Sequence, residues 1–318
     1  ADRYGRKLIL VPSLLVFGVA GTACAWATDF TWLLALRFLQ GVGGASLGAL
    51  NVTLIGDLYD GNRRITAMGY NASVLSVGTA SYPVIGGVLA VVGWYYPFFL
   101  SLLAIPVGLL VLVTLRNPEP ENGTGLREYF SNIWGSLQSK KVLGLFTANF
   151  LTFIMLYGAY LTFFPILIDT RFGKSSFIIG IILSGSSLVT ALTSSQLGKL
   201  AARFSEAGLV VTAALIYIGV FLSIPFIDNI WLLAGPIVLF GIAQGINIPT
   251  VLNMLTHHAP TEYRAAFLSV NWTVLRGGQA LGPVLLGLVY AAAGLTGTFL
   301  FTTGIAVLFV LVAVATIR

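Results

Sequence analysis

The stretch RITAMGYNASVLSVGTASYPVIGG, residues 64–87, returns two hundred positions later as RAAFLSVNWTVLRGGQALGPVLLG, residues 264–287. Arg64 falls on Arg264, Asn71 on Asn271, Leu75 on Leu275, Gly78 on Gly278, Pro83 on Pro283 and Gly87 on Gly287. Apolar coincidences are common, but arginine, asparagine, glycine and proline held in one register mark an internal repeat. The same offset places Arg3 on Arg203, and Gln40-Gly41 returns as Gln244-Gly245, 204 positions on. In each copy an arginine precedes a long apolar run, so both runs start from the same side of whatever they cross. Two repeats of like orientation need an even number of crossings each.

The surrounding chain says what is crossed. Of 318 residues 57% are hydrophobic and 9% charged, whereas soluble domains carry about 25% charged residues. Disorder is excluded as well, because it needs low hydrophobicity and high charge. A membrane helix takes about 20 mostly apolar residues. Ten stretches qualify, near 8–28, 32–54, 66–91, 94–115, 142–167, 176–198, 208–227, 230–255, 265–291 and 295–317. They are too long for barrel strands and lack alternation of period two. The expected class is therefore an all-α integral membrane protein.

Charge orients it. With the N-terminus in the cytoplasm, that side holds Arg3, Arg6, Lys7, Arg63, Arg64, Arg116, Arg127, Lys140, Lys141, Lys199, Arg203, Arg264 and Arg318. The other side holds Arg171 and Lys174, and Arg37 and Arg276 fall inside spans. The bias predicts both termini in the cytoplasm of a multi-pass cell-membrane protein. The polar run 116–141 reads as a cytoplasmic linker between an N-terminal half, 1–115, with four spans and a C-terminal half, 142–318, with six. The repeat predicts two further spans ahead of Ala1, twelve in all, in two parallel halves.

Chemistry is sparse. Cys24 is the single cysteine and His257-His258 are neighbours, so neither a disulfide nor a metal cluster is expected. No nucleophile–base pair or phosphate loop is present, which leaves no enzyme and no cofactor to expect. The net charge of +6 is accounted for by topology, not by nucleic acid. The expected partners are the bilayer, a small-molecule substrate and protons, for a chain acting as a monomer. None of the eleven acidic residues lies in the middle of a span. Asp57, at a span's cytoplasmic end, is the weak candidate for proton coupling, and a uniporter or another coupling ion stays open.

Three motifs bring a family into view. The chain opens Ala1-Asp2-Arg3-Tyr4-Gly5-Arg6-Lys7, and a weaker copy runs Gly198-Lys199-Leu200-Ala201-Ala202-Arg203. Arg37-Phe38-Leu39-Gln40-Gly41 puts an arginine inside a span, where a charge costs several kcal/mol, or about that, unless paired or hydrated. Gly69, Gly78, Pro83, Gly86 and Gly87 punctuate the span at 66–91, and Gly278, Gly282 and Pro283 repeat part of the pattern. Together these resemble the major facilitator superfamily, and within it the twelve-helix drug–proton antiporters, over essentially the whole chain.

The resemblance implies a major facilitator-type helical bundle, ten of whose twelve helices are present. It implies a gating loop at Asp2, Arg3, Gly5 and Arg6, and a proton-coupling role for Arg37, Gln40 and Gly41. It implies an exporter's Gly/Pro motif at Gly69, Gly78, Pro83, Gly86 and Gly87, with Tyr82 standing where the family has glycine. The alternatives are a basic loop that sets topology, a snorkelling Arg37 and generic small-residue packing, with Gly41, Gly44 and Gly48 sharing a face.

The substrate-binding candidates come from the second half. Phe150, Phe153, Tyr157, Tyr160 and Phe164 follow steps of three and four and predict one aromatic face. Asn149, Asn247, Asn271 and Arg276 are polar groups inside spans. The alternatives are helix packing for the rings and a structural pair for Arg276. The expected activity is proton-coupled efflux of small amphipathic compounds by alternating access. The rivals are a metabolite or organic-anion transporter built around Arg276, a membrane enzyme or receptor, and a fragment that does not transport.

Overall fold

The computed structural model describes residues 6–45, 47–59, 61–115, 139–258 and 264–317. The predicted gating residues Asp2, Arg3 and Gly5, and most of the linker, lie outside these. For Arg6, Asp57, Arg64 and Gly69 only the helical backbone is described. All regular structure among the described residues is helical.

The chain divides into two compact units, Ala1–Thr124 and Gly125–Arg318. The first contains α1 (Arg6–Ala23), α2 (Phe30–Gly44), α3 (Leu47–Leu58), α4 (Gly61–Val92) and α5 (Ala104–Thr114), the last led in by a 3₁₀ segment, Tyr96–Leu103. The second begins with α6 (Lys140–Phe153), which runs through a π-helical segment, Ile154–Phe163, into α7 (Phe164–Phe172). There follow α8 (Ser176–Ser195), the short α9 (Leu197–Ala201), α10 (Glu206–Ser223), α11 (Ala234–His258) and α12 (Arg264–Val312).

Helix starts follow side-chain chemistry. Trp32 N–H donates to the Asp29 carboxylate at 2.7 Å and caps α2. Gly208 N–H donates to Ser205 Oγ at 3.1 Å and caps α10. Trp231 N–H donates to Asn229 Oδ1 at 3.0 Å, on the turn leading into α11. The sequence around the first and last of these turns repeats, Asp29, Trp32, Leu33, Leu34 and Ala35 recurring as Asp228, Trp231, Leu232, Leu233 and Ala234, while the capping acceptor moves from Asp29 to Asn229.

Among the described residues, seven helical segments are long and apolar enough to cross a membrane. The last, Val270–Ile317, has 48 residues. At 1.5 Å per residue that is about 72 Å, over twice a hydrocarbon core. Gly294, at φ 64°, breaks it into two limbs, because a left-handed residue ends the hydrogen-bond ladder and glycine adopts it without strain. In the first unit the region predicted as one span at 32–54 is interrupted after Gly44, so α2 and α3 are each short.

The apolar surface is arranged for lipid. Phe38, Val113 and Trp231 are exposed, while the interior of the second unit is built on Phe164, Tyr217, Phe221, Phe240, Phe267, Phe299 and Phe309. Since lipid is as apolar as leucine, helices associate through close packing and polar links. Glycine supplies the close approach. A Cβ on Gly43 would lie 2.5 Å from Phe17 N and 2.8 Å from Ser13 O, so α2 rests on the backbone of α1 there. This corrects the expected glycine face: Gly41 and Gly48 have open space beside them and Gly44 only touches the Phe17 ring.

Candidate functional site

In the first unit, Arg37 sits seven residues into α2, about 10 Å from its start. Its guanidinium donates to Gln40 Oε1 at 2.8 Å, and Gln40 Nε2 donates to Ser101 Oγ at 3.0 Å. The Arg37 Cζ stands 4.7 Å from the centre of the Phe98 ring, a cation–π geometry. Gln40 is buried; a Cβ on Gly21 would lie 2.3 Å from its amide and 2.4 Å from Ser101 Oγ. A small residue on α1 therefore makes room for the link between α2 and the 3₁₀ segment. Arg37 and Gln40 were found from sequence; Ser101 and Phe98 were missed, since nothing local ties them to position 37. Gly41 has open space around its Cα.

Of the Gly/Pro motif in α4, Gly78 faces the ring of its own helix's Tyr82, whose carbons would lie 3.1 Å from a Cβ there. Tyr82 is exposed, Pro83 and Gly86 are half-buried, and Gly87 is buried. The second copy packs far more tightly. A Cβ on Gly278 would lie 2.6 Å from Phe150 O, and one on Gly282 would lie 2.9 Å from Ile154 O and 3.0 Å from Gly158 N. Glycines 278 and 282 thus bring α12 into backbone contact with α6 and the π segment.

That seam gathers most of the predicted substrate residues. Asn149 Nδ2 donates to Asn271 Oδ1 at 2.7 Å, and both amides are buried. One to two turns further, Phe153 and Tyr157 stack at 5.7 Å between ring centres and are half-buried. Alongside on α12, Arg276 is exposed and donates to Gln279 Oε1 at 2.7 Å. Among the described residues no carboxylate pairs with it. The arrangement Arg-x-x-Gln, arginine donating to the amide three residues on, is that of Arg37 and Gln40.

The single aromatic face is corrected. Phe150, Phe153 and Tyr157 keep to the seam, whereas Tyr160 and Phe164 turn into the bundle interior, where Tyr160 stacks on Phe164 at 5.3 Å and on Phe240 at 3.9 Å. The cause is the π segment, whose wider turn rotates later residues off a 3.6-residue stripe. Asn247 is also interior: its Nδ2 donates to Thr152 Oγ1 at 2.8 Å, and it is fully buried. Tyr160 and Asn247 belong to the core, not the seam. On the far loop side, Arg171 donates to Pro225 O at 2.6 Å and pairs with Asp228, tying α7 to the turn after α10. Among the described residues no group of three metal-ligating side chains occurs.

The family model of the Major Facilitator Superfamily matches residues 1–275 and 167–318. The tetracycline resistance protein, class B, of Escherichia coli is 24% identical over 300 residues, covering 91% of this chain and 73% of that protein. The multidrug resistance protein MdtG of Citrobacter koseri is 25% identical over 310 residues, covering 96% and 76%. Among solved structures, a bacterial homolog to the human lysosomal transporter Spinster, inward-facing and unoccupied, superposes with a TM-score of 0.84 at 19% identity, over 99% of this chain and 84% of that one. The chain belongs to the Major Facilitator Superfamily and has its helical fold. It is a multi-pass membrane transporter of small molecules, not an enzyme.

Proposed function

We propose that this transporter exports small amphipathic compounds, aromatic ones among them, against an inward flow of protons, by alternating access across the cell membrane. The observation that carries the reading is alignment over more than nine-tenths of the chain with proteins named for tetracycline and multidrug resistance. The Gly/Pro motif of α4 and its tightly packed copy in α12 support it. In this reading Arg37, held by Gln40 and Phe98, answers the proton, and Phe153, Tyr157 and Arg276 on the open seam meet the substrate. A pair of stacked rings and an exposed arginine suit a flat ligand with an anionic or zwitterionic group. In the same reading Asp2, Arg3, Gly5 and Arg6 take the gating role on the cytoplasmic side.

Cells expressing the complete gene should keep a fluorescent amphipathic dye out while energised, and a protonophore should end the exclusion. Exclusion that survives the protonophore would overturn proton coupling. A second reading rests on Arg276 alone: an exposed arginine in mid-helix whose only partner among the described residues is the neutral Gln279 amide fits an organic-anion or metabolite carrier. No dye efflux, with saturable uptake or release of an organic anion, would favour it.

A further inference from the structure

The repeat sets up a comparison between two buried glutamines. Gln40 has its oxygen served by Arg37 and its nitrogen by Ser101. Its counterpart Gln244, in α11, is 3% exposed, and neither its Oε1 nor its Nε2 has a protein partner. The 204-residue offset that aligns the glutamines puts Gly241 where Arg37 stands. The arginine is therefore absent from the second copy, and the amide it would have served is left inside the bundle.

Gln244 is not alone. Among the described residues six buried side-chain polar atoms lack a partner, and five belong to Tyr160, Tyr217, Gln244 and Asn247. The fold brings these four together. Phe240, Gln244 and Asn247 lie on one face of α11, at steps of four and three. Tyr160 stacks on Phe240 at 3.9 Å, and Tyr217 of α10 packs on the same ring at 5.7 Å between centres. The Tyr217 hydroxyl lies beside the Asn247 amide and the Tyr160 hydroxyl beside Ser186 of α8. Asn247 spends its Nδ2 on Thr152, which leaves its Oδ1 as an acceptor.

The chemistry of the set selects its ligand. It offers amide oxygens, an amide N–H pair and two phenols, all neutral, so no ion is compensated there. Its side chains come from the π segment, α10 and α11 and are buried within the second unit. Polar groups that find no protein partner in an apolar interior are those that internal water satisfies, with two to four bonds each. We propose that the interior of the second bundle is a water-binding site, in which Gln244 and Asn247 with the hydroxyls of Tyr160 and Tyr217 hold at least one structural water. Just below it α11 carries Pro249, which cannot serve the carbonyl of Gly245; Ser194 Oγ of α8 donates to that oxygen at 3.1 Å. The hydrated cluster and the serine together supply the polar links across a helix that its proline interrupts. This assignment takes Tyr160 and Asn247 out of the substrate site.

Millisecond X-ray radiolysis of the purified full chain in lipid nanodiscs, read by mass spectrometry, tests it directly. Hydroxyl radicals made from a bound water label side chains that bulk solvent cannot reach. Tyr217 should be labelled at least about three-fold more than Phe221, after correction for intrinsic reactivity, although both are fully buried. Met155, fully buried, serves as the dry control. In Gln244→Leu the labelling of Tyr217 should fall toward that of Phe221 while Met155 stays unchanged, which also reports that the bundle is folded. Tyr217 and Tyr160 no more labelled than the dry controls in the unaltered chain would overturn the site. Strong labelling that persists in Gln244→Leu would overturn the part assigned to Gln244.

Discussion

A charge inside a bilayer is expensive, and how Arg37 is accommodated decides what it can do. Its partners are an amide and a ring, with no acid recorded at it among the described residues, so its charge is stabilised without being cancelled. Arg37→Ala should lower uphill export at least about ten-fold while substrate binding changes less than about two-fold. Unchanged accumulation in a transport assay would remove it from coupling. Arg276→Gln should alter the ranking of exported compounds, and an identical profile would leave Arg276 structural. The buried amide pair makes a stability prediction. Asn149→Leu alone strands the Asn271 carboxamide and should cost about 1–2 kcal/mol in a thermal melt. Asn149→Leu with Asn271→Leu should recover part of that loss, and a double variant no better than the single would contradict the pairing. Arg37, Gln40 and Arg276 were legible in the sequence because a charge or an amide in an apolar run needs a reason. Ser101, Phe98 and Thr152 were not, since a hydroxyl or a ring in a span is ordinary until its neighbour across the bundle is known.

Helices here are positioned by what glycine leaves out. At Gly282 an added methyl would press on the carbonyl of Ile154 and the nitrogen of Gly158, neither of which can rotate away. Gly282→Ala should cost about 1–3 kcal/mol as overpacking. Gly86→Ala meets open space and should stay within about 0.5 kcal/mol. Folded yield and melting temperature in detergent check both, and equal tolerance at the two sites would contradict the seam between α6 and α12. The helical stretches themselves could be read from apolar length, and the repeat predicted which motif residues would correspond. The failures at this scale share a cause: faces were drawn with 3.6 residues per turn. The π segment Ile154–Phe163 moved Tyr160 into the core, and in α2 it is Gly43, not Gly41, that meets α1.

For the molecule as a whole, basic residues were assigned to one membrane face from the order of loops alone, and that order predicts an orientation. The native Cys24 is buried, so aqueous thiol reagents should pass it by and single cysteines can be placed on a nearly clean background. Ser139→Cys should react only from the cytoplasm and Lys174→Cys only from outside. The reverse pattern would invert the topology, and with it the direction of transport argued here. The superfamily was readable from sequence at this scale because its motifs depend on composition and order. The substrate was not, because it depends on side chains that only packing brings together.

The central claim is that substrate and protons move in opposite directions through this chain. Purified protein in proteoliposomes, with a pH indicator inside and an outward gradient of an amphipathic dye, measures that exchange without the cell. Dye leaving should acidify the lumen, and vesicles carrying Arg37→Ala should show neither dye-driven acidification nor proton-driven dye movement. Dye efflux with no change in luminal pH, or with alkalinisation, would contradict proton antiport.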